Sequence, residues 1–325
     1  MKNIPALSGK SILVTGGAGF IGSHLVDGLI KEKPKNIVVV DNFFLGEITN
    51  LCEAKKSNIV FIENFDASDY KKLRQTVEKN KVDVVFNLAV VPLPVSLVKP
   101  SWSFDINVDM TRILCELARE RKFETLVHYS SSEVYGTALG GKMGETHPLF
   151  PRTPYAASKA ACDHLVYSYC QTFGIDMTIL RPFNNYGPRQ NDKSYAGVIP
   201  ITIKRIMGKQ APIIYGTGEQ TRDFVFVKDT VDATIKSYKS RNTRGRVLNI
   251  ASGKETSINA IINTITKELG WTGPIKHERP RLGDVRRHLG NASLARKLIK
   301  FKTSTNLKDG MKETINWYRE KYTEN

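Results

Sequence analysis

Through the first half of the chain, short apolar β-branched runs alternate with segments whose apolar positions recur every three to four residues. The runs Ser11–Thr15, Asn36–Val40, Ile59–Glu63, Val82–Leu88, Thr125–Ser130 and Met177–Arg181 predict strands. Between them, Ile21–Lys31, Ser68–Asn80, Asn107–Arg121 and Tyr155–Phe173 predict helices. The strand runs are nearly continuous Val, Ile and Leu, the pattern of strands buried on both faces of a parallel sheet covered by helices. Strand and helix in succession predict a Rossmann-type α/β fold, a doubly wound parallel sheet. Beyond Arg181 the pattern loosens into Gly/Pro-rich loops with short strands at Pro212–Tyr215 and Asp223–Val227. Helices are predicted there at Ala196–Met207, Ser257–Leu269, Ser293–Ile299 and Leu307–Tyr318. This half reads as a smaller C-terminal mixed α/β domain, while the apolar run Val247–Ile250 returns to extend the main sheet.

Composition narrows the class. Of the 325 residues, 41% are hydrophobic and 25% charged, which excludes disorder and low complexity. No apolar run approaches the roughly 18 residues of a membrane span, and the start leads almost directly into a strand, leaving no room for a signal peptide. Cys52, Cys115, Cys162 and Cys170 show no CxxC or other metal-ligand spacing. The expectation is a cytoplasmic protein with reduced thiols and no metal. The net charge of +16 is spread along the chain without a nucleic-acid-binding motif, so neither nucleic acid nor membrane is an expected partner.

Three clusters carry candidate chemistry. Thr15-Gly16-Gly17-Ala18-Gly19-Phe20-Ile21-Gly22 closes a strand and opens a helix, the context a dinucleotide site requires. Gly16 permits the tight turn, Gly19 lets backbone N–H groups approach a diphosphate, and Gly22 lets helix and strand pack closely. Asp41-Asn42 closes the second strand, where an acid accepts from adenine-ribose hydroxyls and repels a 2′-phosphate, favouring NAD. Tyr155-Ala-Ala-Ser-Lys159 places a phenol and an ammonium on one helix face, where the ammonium is expected to lower the phenol's pKa and make it a base. At the fifth strand's end, Ser131 offers a hydroxyl and Glu133 a carboxylate.

Over nearly its full length the chain resembles the extended short-chain dehydrogenase/reductases that act on nucleotide sugars. TGGAGFIG, VVVDN, FNLAV, SSSEVYG, YAASK, RPFNNYGPR, YGTGEQTRDFVFVKD and RPRLGD carry the resemblance, in that order. It implies bound NAD, held with help from Phe20, Ile21, Asp66, Ala67, Leu88 and Ala89, that oxidises a sugar at C4. In it Tyr155 is the base, Lys159 the nicotinamide-ribose contact, and Ser131 the third member of the triad. Asn184, Arg222 and Arg281 resemble diphosphate contacts, and Val198, Ile199 and Tyr215 lie where the base packs; residues alone favour ion pairs of Arg222 with Asp223 and of Arg281 with Asp284. A UDP-sugar is the expected substrate and a homodimer, formed through Asn107–Arg121 and Tyr155–Phe173, the expected assembly. Residues 1–181 with about 228–252 are expected to bind NAD, and 182–227 with 253–325 the nucleotide sugar. Glu133 in place of a small residue points to removal of the C5 proton and so to 4,6-dehydration, although Ser132 stands where many dehydratases carry an acid. 4-Epimerisation, UDP-glucuronate decarboxylation and a non-catalytic NAD-binding module are the alternatives.

Overall fold

The computed structural model describes residues 5–193, 196–281 and 283–323; the outer ends of both expected domains and Leu282 of the RPRLGD run lie outside the described residues. The first half runs β1 (Ser11–Thr15), α1 (Phe20–Ile30), β2 (Asn36–Asp41), β3 (Val60–Asn64), α2 (Tyr70–Lys79), β4 (Val84–Asn87), α3 (Leu93–Ser96), α4 (Pro100–Arg119), β5 (Thr125–Tyr129), α5 (Pro154–Phe173) and β6 (Asp176–Pro182). There follow β7 (Asn184–Tyr186), α6 (Val198–Met207), β8 (Ile213–Tyr215), β9 (Thr221–Arg222), β10 (Phe224–Phe226) and α7 (Val227–Lys239). The chain closes with β11 (Arg246–Ile250), β12 (Thr256–Ser257), α8 (Ile258–Glu268), β13 (Lys276–Glu278), α9 (Ser293–Ile299) and α10 (Leu307–Thr323).

Seven parallel strands form the main sheet in the order β11-β6-β5-β4-β1-β2-β3. The order reverses between β1 and β4, so a crevice opens at the carboxyl ends of these two strands. Thr15 and Asn87 pair across it; Thr15 Oγ1 donates to Asn87 Oδ1 at 2.8 Å and accepts from the Leu88 and Ala89 N–H groups. Successive strand residues face opposite helix layers. Leu13, Val38, Val85, Leu126 and Met177 pack with Leu73, Leu114 and Val166 of α2, α4 and α5. Ile12, Val39, Phe86, Val127 and Leu248 pack instead with Leu25, Val231 and Ala295 of α1, α7 and α9. As expected, β11 joins the sheet beside β6. A separate apolar cluster binds α6, α8 and α10 through Ile199, Ile203, Ile261, Ile265, Met311 and Ile315.

Three helices depart from the pattern-based expectation. α4 begins at Pro100 rather than Asn107, because proline at the first helical position needs no N–H partner and its fixed φ suits the helix. α7 buries Thr230, Thr234 and Ser237 beside Val227, Val231 and Ala233, so its inward stripe is too polar to show a clear apolar period. The one-turn α3 lies inside the proline-rich run Val90–Ser96. α5 is defined at both ends: Thr153 Oγ1 caps the Ala156 N–H, Pro154 opens the helix, and Gly174 closes it at φ 63°.

Candidate active site

A cavity of about 430 Å³ runs along the carboxyl ends of the strands. Gly16, Gly19, Phe20, Ile21 and Gly22 form one end of its wall, with Asp41, Asn42, Asp66, Ala67, Leu88 and Ala89 along it and Ser131, Tyr155 and Lys159 at the other end. Gly16 and Gly22 are sterically required. Gly16 has φ +68°, and a Cβ there would lie 2.7 Å from the Ala89 nitrogen; a Cβ on Gly22 would lie 2.1 Å from the Gly16 carbonyl oxygen. α1 has no side-chain cap and no acid in its first turn, so its free N–H groups and partial positive charge are left for an anion. Asp41 is nearly buried and accepts from the Ala18 and Phe43 N–H groups at 2.9 and 2.8 Å, and burial raises its pKa. Asp66 accepts from the Ser68 N–H and hydroxyl and from Asn42 Nδ2; burial opposes its charge, but these bonds leave its pKa lowered.

At the inner end, Tyr155 and Ser131 lie side by side on the cavity wall, and Ser131 Oγ accepts from the Glu133 N–H at 3.2 Å. Burial pushes the Tyr155 phenol up to about 12; Ser131 pulls the other way, and a charge on Glu133 raises it further. The expected lysine–phenol contact is absent. Lys159 Nζ instead donates to the Tyr129 carbonyl at 2.7 Å, and burial lowers its pKa. Four residues apart on α5, the two side chains share a face, but the ammonium is held by a buried carbonyl of β5. Asn107, not anticipated as a site residue, holds the loop after β4 in place. It accepts from the Val91 N–H at 2.7 Å and donates to the Val91 carbonyl and to Ser158 of α5.

A second cavity of about 820 Å³ meets the first along Pro92, Ser131, Tyr155, Pro182, Phe183 and Gln190. Glu133, Ser132, Asn184, Val198, Tyr215, Arg222, Arg281 and Asp284 line it. Several expectations change here. Arg222 pairs with Asp284, not Asp223, and also donates to the Thr221 and Val285 carbonyls at 2.8 and 2.7 Å. Asp223 points away, accepting from the N–H groups of Ser252, Gly253 and Gly290. Arg281 does not pair with Asp284; its guanidinium lies 4.1 Å from the centre of the Tyr215 ring. Ile199 is not in the cavity: Val198, Ile201 and Thr202 line it, at one-turn spacing along α6, while Ile199 on the opposite face is buried in the core. Glu133, 20% exposed, lies with Oε1 3.8 Å from His288 Nδ1, a residue the sequence patterns did not mark. Ser132 is nearly buried, and its carbonyl contacts His288 Nε2 at 3.0 Å.

Residues 12–251 match the NAD dependent epimerase/dehydratase family. The chain belongs to that family. A Methanocaldococcus jannaschii protein provisionally named UDP-glucose 4-epimerase is 37% identical over 310 residues, spanning 95% of this chain and 98% of the relative. A dTDP-D-glucose 4,6-dehydratase of Homo sapiens is 30% identical over 332 residues, 98% of this chain and 93% of its own length. Among solved structures, the UDP-N-acetylglucosamine 4-epimerase from Methanobrevibacter ruminantium, in complex with UDP-N-acetylmuramic acid, aligns with a TM-score of 0.89 at 34% identity, over 97% of this chain and 99% of that one.

The residues of this epimerase/dehydratase family member fit its NAD. The uncapped start of α1 suits a diphosphate. Asp41, with Asn42, Phe43 and Phe44 following it, sets a carboxylate and no cation against a 2′-phosphate, so NAD is favoured over its phosphorylated form. No described helix is long and apolar enough to cross a membrane, and no described cluster of His, Cys, Asp and Glu can hold a metal ion.

Proposed function

We propose that this protein interconverts a UDP-hexose and its C4 epimer through a 4-keto sugar. The observation that carries the reading is the meeting of the two cavities at Tyr155 and Ser131, which sets a phenol between the dinucleotide cradle and a second, arginine-lined pocket. In this reading residues 1–181 with 228–252 hold NAD and the remainder holds the nucleotide sugar. Bound NAD supplies a hydride acceptor, and afterwards a donor, at C4. Tyr155, with Ser131 beside it, takes the C4 hydroxyl proton and returns it to the C4 oxygen once the ketosugar has turned its other face to the hydride donor. Lys159, held on the Tyr129 carbonyl, carries positive charge at the inner end of the first cavity. Arg222 and Asn184 receive the diphosphate, and the uracil packs among Val198, Tyr215 and Arg281. Guanidinium forks suit phosphate oxygens.

Dehydration, the outcome first expected from Glu133, is the second reading, favoured by that carboxyl group's place beside Tyr155 in the second cavity. It needs a base at C5 and an acid for the C6 hydroxyl. Among the described residues the cavity offers two carboxyl groups, and one of them, Asp284, is taken by Arg222. The relatives above named for 4-epimerisation include the more similar of the two sequences.

The test is NMR of the purified protein with UDP-glucose, UDP-N-acetylglucosamine and UDP-glucuronate in D2O. Inversion at C4 without deuterium at C5 supports epimerisation; a 6-deoxy-4-keto product with deuterium at C5 overturns it. We also propose a homodimer through α4 and α5, the latter exposing Tyr167 and Phe173; light scattering that finds a monomer would refute this.

A further inference from the structure

Two aromatic side chains line the first cavity and yet keep much of their surface in water: Phe44 is 48% exposed and Trp102 42%. Side chains that face both a cavity and the solvent mark its opening. These two come from different elements. Trp102 stands in the first turn of α4, and Ile106 and Met110, four and eight residues on, carry the same helix face along the cavity wall. Phe44 lies in the loop after β2, with Leu45 and Gly46 beside it on the wall. The two rings meet edge-on, their centres 6.2 Å apart and their planes at 64°.

The loop is built to hold Phe44 in that place. Phe43 adopts φ 56°, a left-handed conformation rare for a bulky residue, and strain of this kind gathers at ligand clamps and switch segments. Its side chain packs against the core of the sheet, and its N–H is held by Asp41. The Phe44 N–H donates to Asn42 Oδ1 at 3.0 Å. Further on, the Glu47 N–H and Asn50 Nδ2 both donate to the Ala18 carbonyl, at 3.1 and 2.9 Å, which ties the loop to the glycine turn. On the α4 side, Lys99 Nζ lies 5.6 Å from the centre of the Trp102 ring. A fixed backbone thus presents two apolar rings to water, a cost that a bound apolar surface removes. The shape of a dinucleotide decides which surface that is. The nicotinamide must reach the Tyr155 end to meet the sugar. Asp41 and Asn42, just before Phe44, stand at the ribose of the other nucleotide, whose base is adenine.

We propose that Phe44 and Trp102 form an aromatic clasp that closes over the adenine of bound NAD and slows the cofactor's escape. A purine offers a π-face and apolar edges that both rings can cover. Each ring also steadies the other, so the clasp works only as a pair. Slow exchange suits an enzyme whose reduced cofactor must return its hydride to the same sugar. That consequence rests on the epimerase reading above; the clasp itself rests on NAD binding alone.

The test is release of NADH from the NADH-loaded protein, chased with excess NAD and followed by the loss of bound-NADH fluorescence. Phe44→Ala and Trp102→Ala are each expected to speed release about 10-fold, and the double variant to go little beyond the faster single one. Trp102→Phe, which keeps a ring against Phe44, should restore slow release. ADP, which lacks the nicotinamide, should bind about 10-fold more weakly to each alanine variant in a calorimetric titration. Both side chains are half-exposed, so neither truncation empties the core. Unchanged release in either alanine variant, single effects that multiply in the double, or undiminished ADP affinity overturns the clasp. So does a Trp102→Phe protein that releases NADH as fast as Trp102→Ala. Failure to find any C4-inverted sugar would sink the epimerase reading and leave the release rates standing.

Discussion

Arg181 sits under the active site and joins three of its parts, which makes its removal a stringent test. It lies on β6, 6% exposed, with Nε 2.8 Å from Asp163 Oδ2 on α5; Asp163 is 3% exposed. Its NH1 group also donates to the Tyr135 hydroxyl at 2.8 Å, and its guanidinium lies 4.9 Å from the centre of the Tyr135 ring. Asp163 follows Lys159 by one helical turn, and Tyr135 ends the one-turn segment that begins at Ser132. Arg181→Leu leaves Asp163 buried without its cation. Removing one partner of a buried ion pair costs about 3–5 kcal/mol. Urea unfolding at pH 7 is the assay, with the double variant Arg181→Leu/Asp163→Leu expected to recover much of the loss because no charge is left behind. Burial already raises the Asp163 pKa and Arg181 is the foremost opposing influence, so in the single variant it rises further. A carboxyl group whose folded pKa exceeds its unfolded value contributes stability at low pH that is lost as pH rises. The deficit of Arg181→Leu should therefore shrink on acidification. A loss below about 1 kcal/mol in the single variant, or a double variant as weak as the two single losses summed, would refute the argument.

Other outcomes follow from the geometry. Tyr155→Phe should lower turnover about 10²–10⁴-fold by removing the base, with NAD binding retained by fluorescence titration; near-wild-type turnover would remove Tyr155 from its role. Gly22→Ala drives a methyl to 2.1 Å from the Gly16 carbonyl, so loss of NAD binding is expected, and an unchanged dissociation constant would show that the loop yields. Burial holds the His24 pKa down to about 4, with Arg189 and Lys228 adding to the effect, while its unfolded value is near 6.5. Its contribution is intact above pH 6.5 and falls as pH drops toward about 4, a gap worth about 3 kcal/mol; a His24→Asn variant with the same pH slope as wild type would exclude it.

What the sequence determined by itself was whatever local chemistry sufficed to specify. The Val- and Ile-rich runs marked six parallel strands and the returning β11, because an inner strand buried on both faces leaves no polar alternation and even the edge strand β3 opens on an apolar Val-Phe-Ile run. The glycine spacing after β1 and the acid after β2 marked the dinucleotide cradle, since both follow from steric and charge limits within a few residues. Tyr155 and Lys159 were legible as one helix face, but not their partners. Lys159 met the Tyr129 carbonyl, 30 residues away in sequence, rather than the phenol. Arg222 found Asp284 across 62 residues and left the adjacent Asp223 to cap backbone N–H groups. Val198 and Ile199 were indistinguishable until α6 packed on α8 and buried one of them. His288 carried no signal at all, because the carbonyl it meets lies 156 residues earlier. The fold was written in periodicity; the choice of proton, ion pair and acceptor was decided by which buried groups the fold pressed together, where each unsatisfied partner costs more than any local preference can offset.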